Sequence, residues 1–272
     1  MQPTDDVIRF FQQTVWAYYA TSKRLMPWRQ NPEPYWVLVS EIMLQQTQVG
    51  RVLPKFEQFI ERFPTIDSLA SAELAELLAL WSGLGYNRRA KFLWQAARII
   101  RDKFSGTIPQ TAEELTSLPG IGPNTAGAIL AYAFNEPALF IETNVRTVYL
   151  RHFFSGQVGV DDKDLLQVAK LALDRENSRE WYWALMDYGA HLKRVAGNNI
   201  SNSRHYVRQT KFKGSHRQLR GQVLKLLLSM KSCDYELLMA RLPDERLAGV
   251  IDELKLEGFL TEVNGKFAIA GK

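Results

Sequence analysis

Hydrophobic residues recur at three- and four-residue spacing through the first 190 positions, the signature of amphipathic helices. The stretch "DSLASAELAELLALWSGLG" predicts a helix capped by Asp67 or Ser68 and ended by glycines. "NRRAKFLWQAARIIRDKF" predicts another, stopped by Gly106. "TAEELTSLPGIGPNTAGAILAYAF" predicts helix, tight turn at Pro119–Gly122, then a second helix entered through Pro123, since proline suits the first helical position. "SREWYWALMDYGAHL" is a further amphipathic helix. No convincing strand pattern occurs in this part, which therefore predicts an all-α region.

The pattern changes at "AGNNISNSRHYVRQTKFKGS", polar and basic, which predicts a linker or exposed loop over 196–214. Its Asn199-Ile200-Ser201 triplet matches a glycosylation acceptor, discounted because the N-terminus "MQPTDDVIRF" shows no secretion signal. Beyond it, "HRQLRGQVLKLLLSM", "DYELLMARL" and "DERLAGVIDELKLEGF" read as three helices. "FLTEVNGKFAIA" alternates around Asn264-Gly265, a strong hairpin signal. Three helices and a terminal hairpin predict a small winged-helix-like α+β domain over 215–272. The main helical domain then spans 1–195.

One segment breaks the amphipathic rule. "WVLVSEIMLQQTQV", residues 36–49, is of helix length and apolar nearly all round, with Glu41 the only Asp, Glu, Lys or Arg between Glu33 and Arg51. A buried ionised carboxylate is costly unless paired, and responds by raising its pKa. Glu41 is thus either a neutralised structural residue or a poised general acid. A second isolated carboxylate, Glu142 in "ALFIETNVRTVYL", follows an apolar run with Asn144 and Arg146 close by. It is either a helix cap or a functional group.

Composition narrows the function classes. The 272 residues are 46% hydrophobic and 23% charged, ordinary for a globular protein. No apolar run spans a bilayer, and Cys233 is the sole cysteine. The single cysteine excludes an intramolecular disulfide and a cysteine-only metal site, and together these features favour the cytoplasm. The net charge of +5 is modest but unevenly placed. No acidic residue lies between Asp187 and Asp234, where Lys193, Arg194, Arg204, Arg208, Lys211, Lys213, Arg217, Arg220, Lys225 and Lys231 all fall. Such a one-signed run binds a polyanion or solubilises a linker, and nucleic acid is the favoured partner. The turn "LPGIG" (118–122) fits that partner, because Gly120 and Gly122 let backbone N–H groups point at a phosphate where a helix begins.

"LMPWRQNPEPYWVLVSEIMLQQTQV", "FPTIDSLASAELAELLALWSGLGYNRRAKFL", "LPGIGPNTAGAILAYAF", "IETNVRTV" and "WALMDYGA" together resemble the A/G-specific adenine DNA glycosylases (MutY type) of the helix-hairpin-helix glycosylase superfamily. The resemblance runs in order from about residue 10 to 192. It implies an all-helical, two-lobed fold, duplex DNA with a mismatched or damaged base as partner, and a flipped target base. It places Glu41 at the acid that protonates the departing adenine, Glu142 at the second carboxylate and Asn144 at the asparagine two residues later. Gln46 and Thr47 match residues near the extruded base and its partner, and Leu84 and Tyr86 match those that wedge into the stack beside the opposite guanine.

The departures are as informative. The second carboxylate is normally aspartate, and Glu142 is one methylene longer. A misplacement of about 1 Å can cost roughly 10²-fold in rate. Asn124 stands where lyase-competent relatives such as endonuclease III carry a Schiff-base lysine, and an amide cannot form that imine. The four cysteines that usually follow "MDYGA" are missing, so no iron–sulfur cluster can form there. His191, His205 and His216 have no standard metal spacing, so no metal site is expected. The turn at 118–122 remains a candidate place for a monovalent cation. The family's C-terminal domain that inspects the opposite oxidised guanine is also missing, the winged-helix-like end being too short and wrongly patterned to be it.

The expectation is a monofunctional glycosylase, without cluster or metal, excising adenine opposite 8-oxoguanine or guanine. Lys193, Arg194, Arg204, Arg208 and the two turn glycines would meet the DNA backbone. It would be a monomer in the cytoplasm, nucleoid-associated in a bacterium. Two alternatives stay open: a same-fold glycosylase for uracil, thymine or hypoxanthine, and an inactive DNA-binding protein.

Overall fold

Helices account for most of the chain in the computed structural model, which describes residues 3–197, 203–204 and 211–271. They gather into two compact units. The first comprises residues 1–41, 109–117 and 121–208; the second comprises 42–108, 118–120 and 209–272. The C-terminal segment clusters with 42–108 in the second unit.

The first unit holds α1 (Asp5–Ser22), α2 (Pro27–Gln30), the start of α3 (Pro34–Leu44), α8 (Ala112–Thr116), α9 (Pro123–Phe134), α10 (Thr143–Phe153), α11 (Asp162–Ala172) and α12 (Ser178–Ala196). Phe11 of α1 anchors its core, with ring centroids 5.7 Å from Tyr149, 4.9 Å from Phe153 and 5.9 Å from Trp181. Edge-on packing, as on Phe153 and Trp181, adds to simple area burial. Helix α12 lies directly on α10: a Cβ at Gly189 would stand 2.3 Å from the backbone oxygen of Asn144, so only glycine permits the approach.

The second unit holds α4 (Val49–Arg62), α5 (Ile66–Ser71), α6 (Leu74–Trp81), α7 (Arg88–Lys103) and the C-terminal segment. The 67–85 stretch, expected as one helix, is two. Thr65, not Asp67 or Ser68, is the cap, its hydroxyl accepting from Ser68 N while the Ser68 hydroxyl accepts from Thr65 N. The segment 36–49 is likewise interrupted: α3 ends at Leu44, and Gln46 turns the chain at φ +54° before α4 begins.

The C-terminal segment runs α13 (His216–Met230), β1 (Ser232–Asp234), α14 (Tyr235–Arg241), α15 (Leu247–Leu256), β2 (Leu260–Val263) and β3 (Lys266–Ile269). The antiparallel sheet has the order β1-β3-β2, the winged-helix arrangement that the sequence suggested. Asn264 and Gly265 make the hairpin turn with φ of +51° and +72°, as a two-residue type I′ loop requires. β1 had no sequence signal, being three residues long; it adds to the sheet by pairing Cys233 with Phe267. Before residue 211 the described residues show strand-like pairing only at the bridge Val160–Ser203.

Candidate active site

Helix α3 has hardly a polar face. Tyr35, Val37, Leu38, Val39, Ile42 and Met43 are all buried, and Glu41 among them is 8% exposed. A helix apolar all round is a core helix, and its N-terminus is tied down by the Glu33 carboxylate, which accepts from Trp36 N at 3.1 Å. Burial pushes the Glu41 carboxyl well above the usual carboxylate range, the charge of Glu142 pushes it further, and Arg29 pulls it partly back.

Glu142 occupies the N-cap position of α10 but makes no cap hydrogen bond with its side chain. Burial raises its carboxyl from the usual range to about 7. Two carboxyl groups are therefore electrostatically linked within the first unit, and the pair disfavours double ionisation. Asn124 helps set the approach to Glu142: its Oδ1 accepts from Ile141 N and its Nδ2 donates to Ile141 O, each at 3.3 Å. The preceding loop is held by Tyr182, whose hydroxyl donates to Ala138 O at 2.9 Å and whose ring stacks on Phe140 at 4.0 Å.

Arg29 owes its position to Asp187 of α12. That carboxylate is 2% exposed and accepts from Arg29 Nη1 and Nη2 at 2.9 and 3.0 Å, and from Arg24 Nε and N at 2.7 and 2.9 Å. Four donors satisfy a buried carboxylate's acceptor sites.

Asn144 accepts from Lys193 Nζ at 2.7 Å. Lys193, expected on a DNA backbone, is partly buried on α12, and burial followed by the Arg146 charge lowers its pKa to about 8. Arg146 itself grips Asp162 through two hydrogen bonds, at 3.1 and 2.6 Å. Arg194 is exposed beside His191, and Arg204 lies 3.6 Å from Asp161. Arg208 and His205 lie outside the described residues.

The second unit gathers the other candidates around a residue that the sequence reading missed. Arg89 of α7 is buried and directs Nη1 at the carbonyls of Ile42 (2.8 Å), Met43 (2.8 Å) and Gln45, which the end of α3 leaves without helical partners. Its Nη2 donates to Thr47 Oγ1 at 2.9 Å and Gly85 O at 3.1 Å. One guanidinium thus joins the Gln46–Thr47 turn to the Leu84–Tyr86 turn. Leu84 is 2% exposed, whereas Tyr86 is 36% exposed and holds φ +50°. Its place at the start of an amphipathic helix, "NRRAKFL", gave Arg89 no distinguishing mark; only the fold turns it inward.

In the 118–122 turn, Gly120 alone needs glycine: φ is +79° and a Cβ would stand 2.8 Å from Phe92 Cβ. Gly122 is extended and caps α9, with Pro123 at the first helical position. Gly120 O accepts from Gln45 Nε2 at 3.2 Å. Carbonyl oxygens are the ligand type a monovalent cation takes, although that of Gly120 is already engaged. Among the described residues no three His, Cys, Asp or Glu side chains converge as a metal site, and no helix is long and apolar enough to cross a membrane.

A model of the HhH-GPD superfamily of base excision DNA repair proteins matches residues 39–169. The chain is 32% identical over 280 residues to an adenine DNA glycosylase of Mycolicibacterium smegmatis, covering 94% of each protein. It is 36% identical over 185 residues to an adenine DNA glycosylase of Buchnera aphidicola subsp. Baizongia pistaciae, covering 66% of this chain and 52% of that one. It spans about half the length of the three Buchnera relatives it matches. Among solved structures, a thermostable thymine-DNA glycosylase aligns with a TM-score of 0.63 at 25% identity over 70% of this chain and 88% of that one. The chain belongs to the adenine DNA glycosylase family of the HhH-GPD superfamily.

Proposed function

We propose that the protein is a monofunctional DNA glycosylase that removes adenine mispaired with 8-oxoguanine or guanine, using Glu41 as general acid and Glu142 as the charge that stabilises the sugar. The observation that carries this reading is the linked pair of raised carboxyls, Glu41 and Glu142. An adenine anion is a poor leaving group, so a ring nitrogen needs a proton as the glycosidic bond breaks. Glu41 in its apolar helix holds that proton near neutral pH. As the bond lengthens, the sugar gains oxocarbenium character, which ionised Glu142 stabilises or traps before water completes the reaction. The division of labour parallels that of glycoside hydrolysis. The base reaches such a site by flipping out of the duplex, at a cost of about a few kcal/mol.

The chain supplies no four-thiolate cluster site, having one cysteine. A cation at the 118–122 turn would have a structural part, orienting N–H groups toward phosphate. Asn124 has no amine for an imine, so the reading includes an uncut abasic product. Strand scission by purified protein without heat or alkali contradicts that part.

A second reading, excision of a different mismatched base, draws on Asn124, Glu142 and the likeness to a thymine-DNA glycosylase. Single-turnover excision from duplexes carrying A:8-oxoG, A:G, U:G, T:G and hypoxanthine:T separates the two. Preferential release of adenine supports the first, and release of another base supports the second.

A further inference from the structure

The C-terminal segment reaches a residue of the Leu84–Tyr86 turn. Arg217, at the start of α13, donates from Nη1 to Tyr86 Oη at 2.8 Å. Its guanidinium carbon is 5.7 Å from the ring centroids of both Tyr86 and Phe212. The segment around it is fixed rather than loose. Ser215 caps α13, and its hydroxyl donates to Phe212 O at 2.7 Å while Gly214 N donates to Gln218 Oε1 at 2.6 Å. Tyr86 is itself held by Arg89, whose guanidinium lies 5.5 Å from the same ring.

The outcome is an exposed aromatic patch with cations on it. Phe212 is 60% exposed and Tyr86 36%, and Lys211 and Lys213 beside Phe212 are exposed. Aromatic faces interleaved with cations fit a nucleobase on a phosphate backbone, because each base has a π-face and each phosphate a charge. A hydrophobic core has no use for a tyrosine ring left partly open, at positive φ, with a guanidinium on its hydroxyl. That backbone region costs a non-glycine residue energy and is kept where the surroundings hold it.

We propose that Arg217, through its hydrogen bond to Tyr86, makes the C-terminal segment a positioning element for the base that stacks on Tyr86, so that this segment helps choose the base opposite the excised one. The proposal deepens the glycosylase reading and rests on it for the assignment of Tyr86 to the opposite strand. Arg217 acts through Tyr86 and is a positioning residue. A purine offers the larger stacking face and gains most from a fixed ring.

The test uses the full chain and duplexes carrying a tetrahydrofuran abasic analogue opposite guanine or cytosine, so that binding is read without catalysis. Wild type is expected to favour opposite guanine by about tenfold, equivalent to 1.4 kcal/mol. Arg217→Ala and Tyr86→Phe should each cut the preference to below about threefold, and the double variant no further, because coupled residues are non-additive. Arg217→Lys should restore much of it. An unchanged preference in either single variant, additive losses, or no preference in wild type overturns the proposal. Tyr86→Phe loses one oxygen only, so it decides the matter even where Arg217→Ala folds poorly. Adenine excision is measured on the same preparations: its absence with the binding pattern intact overturns the glycosylase reading alone.

Discussion

Asn124 holds Ile141 by both its amide atoms, donating to Ile141 O and accepting from Ile141 N, in the position directly before Glu142. The first turn of α9 therefore sets the backbone from which the second carboxylate springs. Relative to the aspartate usual in the resembled family, Glu142 has one more methylene, and this doubly bonded anchor gives the longer side chain a defined origin.

Asn124→Ala is expected to lower the single-turnover excision rate by about tenfold or more, through a displaced Glu142. The stability cost should be about 1–3 kcal/mol, for two lost hydrogen bonds partly replaced by water. A rate within twofold of wild type, by quench-flow on A:8-oxoG duplex, would show that Asn124 does not position the carboxylate.

The carboxyl pair sets the pH dependence. The proposed role needs Glu142 ionised, and burial raises its pKa to about 7. The excision rate should accordingly rise as pH climbs through about 7 and fall again where Glu41 gives up its proton at higher pH. Folding responds in the opposite sense. Native Glu142 holds its proton to higher pH than the unfolded chain does, so its contribution to stability is fully present below the unfolded carboxylate range and is lost as pH rises toward 7. Glu142→Gln should flatten both trends, as pH–rate profiles and urea melts would read.

Asp187 is the buried carboxylate on which Arg29 and Arg24 converge. Asp187→Asn leaves Arg29 without its counter-charge in a buried place, and should cost about 3–5 kcal/mol. Arg24→Met should cost about 1 kcal/mol or less in ion pairing, since Arg24 is 38% exposed. Equal losses in urea melts of the two variants would contradict this account.

Arg89 is the guanidinium on which three carbonyls near the end of α3, Thr47 and Gly85 depend. Arg89→Leu removes the donors that those carbonyls and Thr47 share, and a loss of about 2–5 kcal/mol is expected. Arg89→Lys should recover part of the stability but not the fork that joins the two turns. Full recovery by lysine in a thermal melt would refute the fork's role.

Much of this was legible in the chain. The periodicity gave α12 and α13, Asn264-Gly265 gave the hairpin, and an isolated Glu41 in an uncharged helix announced a raised carboxyl. What escaped has physical reasons. The break after Leu44 depends on Arg89 taking the end carbonyls of α3 from 47 residues away in the chain. Thr65 displaced Asp67 and Ser68 as cap through a reciprocal pair of side-chain bonds, which spacing alone does not choose. The strand β1 exists because β3 pairs with it. The bond from Lys193 to Asn144 also had no mark in the chain, because Lys193 stands in a run of basic residues and only the packing of α12 on α10 brings the two together.

The most direct measurement is single-turnover excision of adenine opposite 8-oxoguanine by wild type and Glu41→Gln, with duplex binding read on the same samples. The account predicts that the glutamine variant binds DNA as wild type does and excises adenine about 10²- to 10⁴-fold more slowly, the range general acid catalysis supplies. A glutamine variant that excises adenine within a few-fold of wild type would remove Glu41 as the acid, and with it the chemical role given to this helix.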